Sequence, residues 1–195
     1  MSQPPPSSER AAPASLLLLD ACALINLYAC GHADEILASS PETFGIVSHV
    51  QRETLFIRKG GVGEDARDRV PIDLDDHLSR GLLQVVPEAT EEELNTFIDL
   101  AVELGDGEAM TAAIALHRGL TVVTDDRVAL RVIGDRVATV SSLQLIRTWI
   151  ERERISRQIS RDALLNLHQR GSYLPGRNHP LRTWWDELVE TQGNG

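Results

Sequence analysis

Gly107–Asp126, GEAMTAAIALHRGLTVVTDD, is the stretch that decides the fold. Ala109, Ala112, Ala113, Ala115 and Leu116 cover much of the circumference of a helix over Glu108–His117, and so few polar groups imply burial against a sheet. Gly119 breaks that helix, and Leu120–Thr124 follows as the clearest strand in the chain. A helix that turns directly into a buried strand is half of an alternating α/β pattern, and the rest of the chain supplies more of it. Leu16–Leu19 reads as a strand buried on both faces, entering a helix over Ala21–Ala29 at Asp20. Phe44–Val47 reads as a second strand, opening into a helix at Ser48 that carries Val50, Glu53, Leu55 and Phe56. Gly60, Gly61 and Gly63 would end it.

Leu82–Val86 reads as another strand, and Thr90 before Glu91, Glu92 and Glu93 starts a capped helix running to about Leu104. A short helix from Asp125 and a strand over Val137–Val140 complete the alternation. The fold expected is therefore a three-layer α/β/α domain on a central parallel sheet. Residues 16–145 form that domain. Residues 1–15, with Pro4, Pro5, Pro6 and Pro13, are expected as a disordered tail, because they lack the apolar periodicity that repays ordering. Residues 146–195 read as an arginine-rich helical extension, closed by a short helix over Leu181–Val189 with Trp184 and Trp185.

The chain has 195 residues, 42% hydrophobic and 25% charged, with 19 basic against 29 acidic residues and a net charge of -10. Bulk charge therefore repels nucleic acid, unless a local patch or a bound cation reverses it. Positive charge is concentrated between Arg147 and Arg182, where eight arginines face only Glu151, Glu153 and Asp162. Arg154 and Arg157 are the residues expected to hold a phosphate backbone there. No apolar run approaches the roughly 18 residues of a membrane span, so no membrane is expected and the protein reads as cytoplasmic. Cys22 and Cys30 fall in one helical segment, roughly 12 Å apart by helical rise, too far for a disulfide.

In parallel α/β sheets the ligand site lies at the carboxyl ends of the strands. Asp20 ends the first strand there, and Asp125 and Asp126 end the strand Leu120–Thr124. Glu108 opens the buried helix, and Glu53, within the second helix, could point over the same edge. Carboxylates converging in one crevice repel one another unless a divalent cation neutralises them. All-oxygen ligation suits Mg2+ or Mn2+; zinc would want His or Cys, and the six histidines show no ligand spacing. Each acid also has a plain structural use, since Asp20 or Asp126 makes a good N-cap and Glu108 favours a helix dipole. Lys59–Gly63 imitates the start of a phosphate-binding loop, but Glu64 and Asp65 stand where Lys and Thr would be needed.

The stretches LLLLDACALINLYA (16–29), VQRETL (50–55) and GDGEAMTAAIALHRGLTVVTDD (105–126) resemble the PIN-domain ribonucleases, including toxins of the VapC type. The resemblance covers about residues 16–145. It implies that Asp20, Glu53, Glu108 and Asp126 are the catalytic acids, with Asp125 as the alternative to Asp126 at the fourth position. Metal ligands would be Asp20, Glu108 and Asp126 or Asp125, holding one or two ions, with Thr124 supporting them by its hydroxyl. The activity implied is Mg2+- or Mn2+-dependent hydrolysis of RNA. A protein antitoxin and a second copy of the chain are the partners implied beside the RNA. Two other functions fit the residues: a non-catalytic RNA- or protein-binding module, in which the acids are caps, and a magnesium-dependent phosphotransfer domain. The lack of a DxDxT run after the first strand counts against the dehalogenase form of the latter.

Overall fold

The computed structural model describes residues 15–53, 55–60 and 68–189. In chain order, the first half contains β1 (Leu16–Leu19), α1 (Ala21–Cys30), α2 (Ala33–Ser39), β2 (Thr43–Ile46), α3 (Ser48–Arg52), β3 (Phe56–Arg58), β4 (Arg69–Pro71), α4 (Asp75–Ser79) and β5 (Gln84–Val85). The second half contains α5 (Glu91–Leu100), α6 (Asp106–Arg118), β6 (Thr121–Val123), α7 (Arg127–Ile133), β7 (Thr139–Val140), α8 (Ser142–Arg152), α9 (Arg157–Gly171) and α10 (Arg182–Val189).

Five strands form one parallel sheet in the order β5-β2-β1-β6-β7. The leucines of β1 sit at its centre, with Leu18 opposite both Gly45 and Val122. Such a strand has neighbours on both edges and helices on both faces, which is why it can be uniformly apolar. On one side α1 packs against α2, α8 and α9; on the other α6 packs against α3, α5 and α7. The result is a three-layer α/β/α fold. The chain runs outward through β2 and β5, then crosses back to lay β6 on the other edge of β1. In parallel α/β sheets ligands bind at such a reversal, outside the carboxyl ends of the strands, here β1 and β6.

Local chemistry explains the main elements. Thr90 caps α5 by accepting from the Glu93 amide, while the Glu93 carboxylate accepts from Thr90 N at 2.8 Å. The same carboxylate, almost fully buried, accepts from Arg118 at 2.6 and 2.8 Å and ties α5 to the last turn of α6. Gly119 takes φ 64 at the end of α6, a left-handed conformation that an L side chain resists and that turns the chain into β6.

Several expectations are corrected. The helix opening at Ser48 ends at Arg52, and Glu53 is its extended C-cap at φ -68, ψ 139. Leu55 and Phe56 are therefore not helical; Phe56–Arg58 pairs antiparallel with Arg69–Pro71 in a separate two-stranded sheet. An apolar triplet, Leu55-Phe56-Ile57, serves a strand as well as a helix, and pairing with Val70 decides for the strand. The strands at Leu82–Val86 and Val137–Val140 shrink to two residues each at the sheet edges, and the helix from Thr90 stops at Leu100. Ser15, assigned to the tail, accepts from Thr43 N at 3.0 Å. The remainder of that tail, residues 1–14, lies outside the described residues, as do Glu64 and Asp65.

The C-terminal helices are part of the core. α8 begins before residue 146, and Ala163, Leu164 and Leu167 of α9, which packs against α1, are fully buried. Cys22 and Cys30 are free thiols. No helix among the described residues is long and apolar enough to cross a membrane. Because α9 completes the layer over α1, Leu167→Ala is expected to cost about 2–5 kcal/mol, as a fully buried leucine does. Urea denaturation followed by circular dichroism measures this, and a loss under about 1 kcal/mol would mean that α9 is an appendage.

Candidate active site

The apolar run of β1 must end where the chain leaves the sheet, and Asp20 is the residue that ends it. Its main-chain N–H donates to Val123 O at 3.2 Å, the last link to β6. Its Oδ1 accepts from Ala23 N at 2.6 Å and caps α1. The residue is 1% exposed, and Oδ2 has no hydrogen-bond partner among the described residues. Burial pushes its pKa up to about 7; hydrogen bonding to the Thr124 side chain and to the Ala23 amide opposes the rise, and the charges of Asp125 and Glu108 add to it. A buried carboxylate with one oxygen unmatched is costly as an anion and suits a cation partner.

Glu108 stands in the first turn of α6, where its Oε2 accepts from Gly105 N at 3.2 Å. Its charge acts on Asp20 on one side and on Glu53 on the other. Glu53 reaches this place as the C-cap of α3, not from within a helix. Its carboxylate lies over Gly107, where any Cβ would overlap Oε1, so glycine is required for the approach. Burial, followed by the charges of Glu108 and Asp106, raises the Glu53 pKa.

The doublet after β6 divides its duties. Asp126 caps α7, with Oδ1 accepting from Val128 N at 2.7 Å and Ala129 N at 2.8 Å. Asp125 turns toward α1: its Oδ2 accepts from Asn26 Nδ2 at 3.0 Å and Ser142 N at 3.1 Å. The charges that act on Asp20 are those of Asp125 and Glu108, whereas Asp126 acts on Cys22. Thr124 is buried, and its hydroxyl accepts from Asp126 N at 3.1 Å, fixing the turn that carries both aspartates. The structure thus joins Asp20, Glu108, Glu53 and Asp125 in one electrostatic row. As the side chains stand, no three acidic, histidine or cysteine groups among the described residues are close enough to hold one ion. A cation at this edge would need the buried Asp20 Oδ2, with Glu108 and one of the doublet turned toward it as further oxygen donors.

Three further residues support this edge and were not singled out from the sequence. Asn26 is 3% exposed and also donates to Ser142 Oγ at 3.0 Å. A polar residue inside the apolar helix Ala21–Cys30 was the signal for it. Ser142 and Tyr173 had no such signal; Tyr173, which hydrogen-bonds Asp125 and is pushed well above the usual phenol range by burial, comes from the loop after α9. The arginines chosen from the sequence lie elsewhere. Arg157 donates to Glu187 O at 2.6 Å, tying α9 to α10, and Arg154 is exposed just after α8 with φ 52.

No protein-family model and no curated protein matches the chain. Among solved structures it is similar to the crystal structure of PAE2754 from Pyrobaculum aerophilum, at 24% identity over 70% of this chain and 97% of that one, with a TM-score of 0.43.

The Asp20 carboxyl keeps its proton to about pH 7 in the folded, metal-free protein, against 3.8 as its ordinary value. Between those values the folded state binds more protons than the unfolded one, so this group makes stability fall as pH rises. Asp20→Asn keeps the cap and removes the titration. The variant is expected to show a flatter stability profile between about pH 4 and 7, and higher stability than the parent at about pH 8 in EDTA. Parallel urea-midpoint profiles for the two proteins would show that the burial of Asp20 is not felt.

Proposed function

We propose that the chain is a Mg2+- or Mn2+-dependent endoribonuclease, the activity that its resemblance to the PIN-domain ribonucleases implies. The observation that carries the reading is Asp20: a carboxylate 1% exposed at the topological switch point, with one oxygen that has no hydrogen-bond partner among the described residues, in the field of Glu108 and Asp125. Burying such a group is unfavourable for stability, so its presence calls for a use that compensates. Asp20 and Glu108, with Asp125 or Asp126, would hold the cation. A cation bound there would polarise a scissile phosphate and lower the pKa of a water.

The remaining duties fall to the chain's own groups. Thr124 and Asn26 fix the turn that carries Asp125 and Asp126. Glu53, whose pKa is raised, is suited to accept a proton at Oε1 or Oε2 from an attacking water and to orient it. The toxin role and the antitoxin partner belong to this proposal through the resemblance.

A second reading has its own observation: Asp20, Glu108 and Asp126 each already serve a helix start. On that reading the fold is a non-catalytic module and the acids are caps. Cleavage of a single-stranded RNA oligonucleotide separates the two. The nuclease reading expects cleavage with Mg2+ or Mn2+, none in EDTA, and a loss of at least about a hundredfold in Asp20→Asn, or about 2.7 kcal/mol of barrier lowering. A folded Asp20→Asn protein that cuts at the parent rate would overturn it.

A further inference from the structure

The loop between α9 and α10 reads Ser172-Tyr173-Leu174-Pro175-Gly176-Arg177-Asn178-His179. It is held in place at several points. Ser172 takes φ 58 to end α9, His168 Nδ1 lies 3.1 Å from Tyr173 O, and Arg182 Nη1 donates to Pro175 O at 2.9 Å. Between this loop and the first turn of α7 lies a cavity of about 480 Å3 whose wall includes Thr124 and Asp125. It therefore opens beside the acidic row, and it has the size of a small-molecule or single-nucleotide site.

Its lining sets two arginines against the one carboxylate of Asp125. Arg127 from α7 and Arg177 from the loop line it, both exposed. Several arginines of this chain are held by carboxylates: Arg80 by Asp34, Arg118 by Glu93, Arg147 by Glu151 and Arg182 by Asp186. Among the described residues the guanidinium groups of Arg127 and Arg177 have no such partner. His179 adds a donor, because its Nδ1 accepts from Leu181 N at 3.0 Å, which puts the proton of the neutral ring on Nε2. The lining also carries an apolar surface, with Leu174 52% and Leu130 39% exposed. Guanidinium forks beside an apolar face match a nucleotide, whose phosphate takes the one and whose base covers the other. A duplex could not enter a cavity walled by a loop and a helix, whereas a splayed single strand could.

We propose that this cavity is a subsite for one nucleotide of a single-stranded RNA, next to the phosphate over the acidic row, with Arg127 and Arg177 on its phosphate and Leu174 against its base. The inference rests on the ribonuclease reading, and it moves the phosphate contacts from Arg154 and Arg157 to residues that border the crevice. It also gives the loop after α9 a task beyond connection.

The test is the binding of a fluorescein-labelled single-stranded RNA of about eight nucleotides to the full chain in EDTA, read by anisotropy across a salt series. Arg127→Ala and Arg177→Ala are each expected to weaken binding about tenfold and to flatten the plot of log affinity against log salt by about 0.7. Arg154→Ala should leave the slope unchanged, and unaltered circular dichroism should show that all three variants are folded. Parent-level affinity and slope in a double variant carrying both Arg127→Ala and Arg177→Ala, or no binding by the parent up to about 1 mM RNA, would overturn the subsite. Failure of the two readings is distinguishable: RNA that is bound through these arginines but never cut refutes the nuclease and leaves the subsite, whereas RNA cut by the double variant at parental kcat/KM refutes the subsite alone.

Discussion

The carboxyl edge of this protein is organised around one carboxylate that performs a structural task with one oxygen and none with the other. Asp20 Oδ1 starts α1, while its main chain closes the ladder to β6. Neither role requires Oδ2 to be buried, yet it is, without a hydrogen-bond partner among the described residues. A helix cap made by a serine would serve as well and would place no charge in the interior. The return crossing of the chain then brings Thr124 and Asp125 beside this group, and the N-terminus of α6 brings Glu108. Several negative groups are thus gathered where a neutral edge would be more stable, and that is the physical ground for reading the edge as a site.

The neighbouring polar residues are arranged to hold the gathering in place. Asn26 reaches out of an apolar helix to both Asp125 and Ser142, so the turn after β6, the helix after β1 and the start of α8 are joined by side-chain hydrogen bonds. Each of these groups is buried or half-buried, so loss of any one would leave the others unmatched. Gly107 contributes by having no side chain, which lets Glu53 lie against the start of α6.

The C-terminal third acts on the same edge from outside. α9 covers α1 with Ala163, Leu164 and Leu167, and Arg157 secures α10 to it. With that helix pair fixed, the intervening loop is positioned rather than loose, and Tyr173 and Arg177 meet the crevice from a part of the chain far from β1 and β6 in sequence. Arg147 and Arg182 are spent on local pairs with Glu151 and Asp186, whereas Arg127 and Arg177 border the acidic row.

Local sequence determined the elements whose burial is uniform or one-sided. The leucines of β1, the alanine-rich α6, the glycine turn into β6 and the capped start of α5 all carry their periodicity on the surface of the text, and the rule for parallel sheets placed their acids on one edge. Tertiary structure decided the matters that depend on a partner. Leu55-Phe56-Ile57 is compatible with helix or strand until Val70 pairs with it, and that choice moves Glu53 from a helix interior to its cap. Asp125 and Asp126 are identical in type and adjacent, and only the positions of Asn26 and Ser142 give them different tasks. Arg157 and Arg177 likewise read the same in sequence; one meets the carbonyl of Glu187 and the other a cavity wall. Periodicity records whether a residue is buried, but not which groups from distant segments surround it, and those groups set its chemistry.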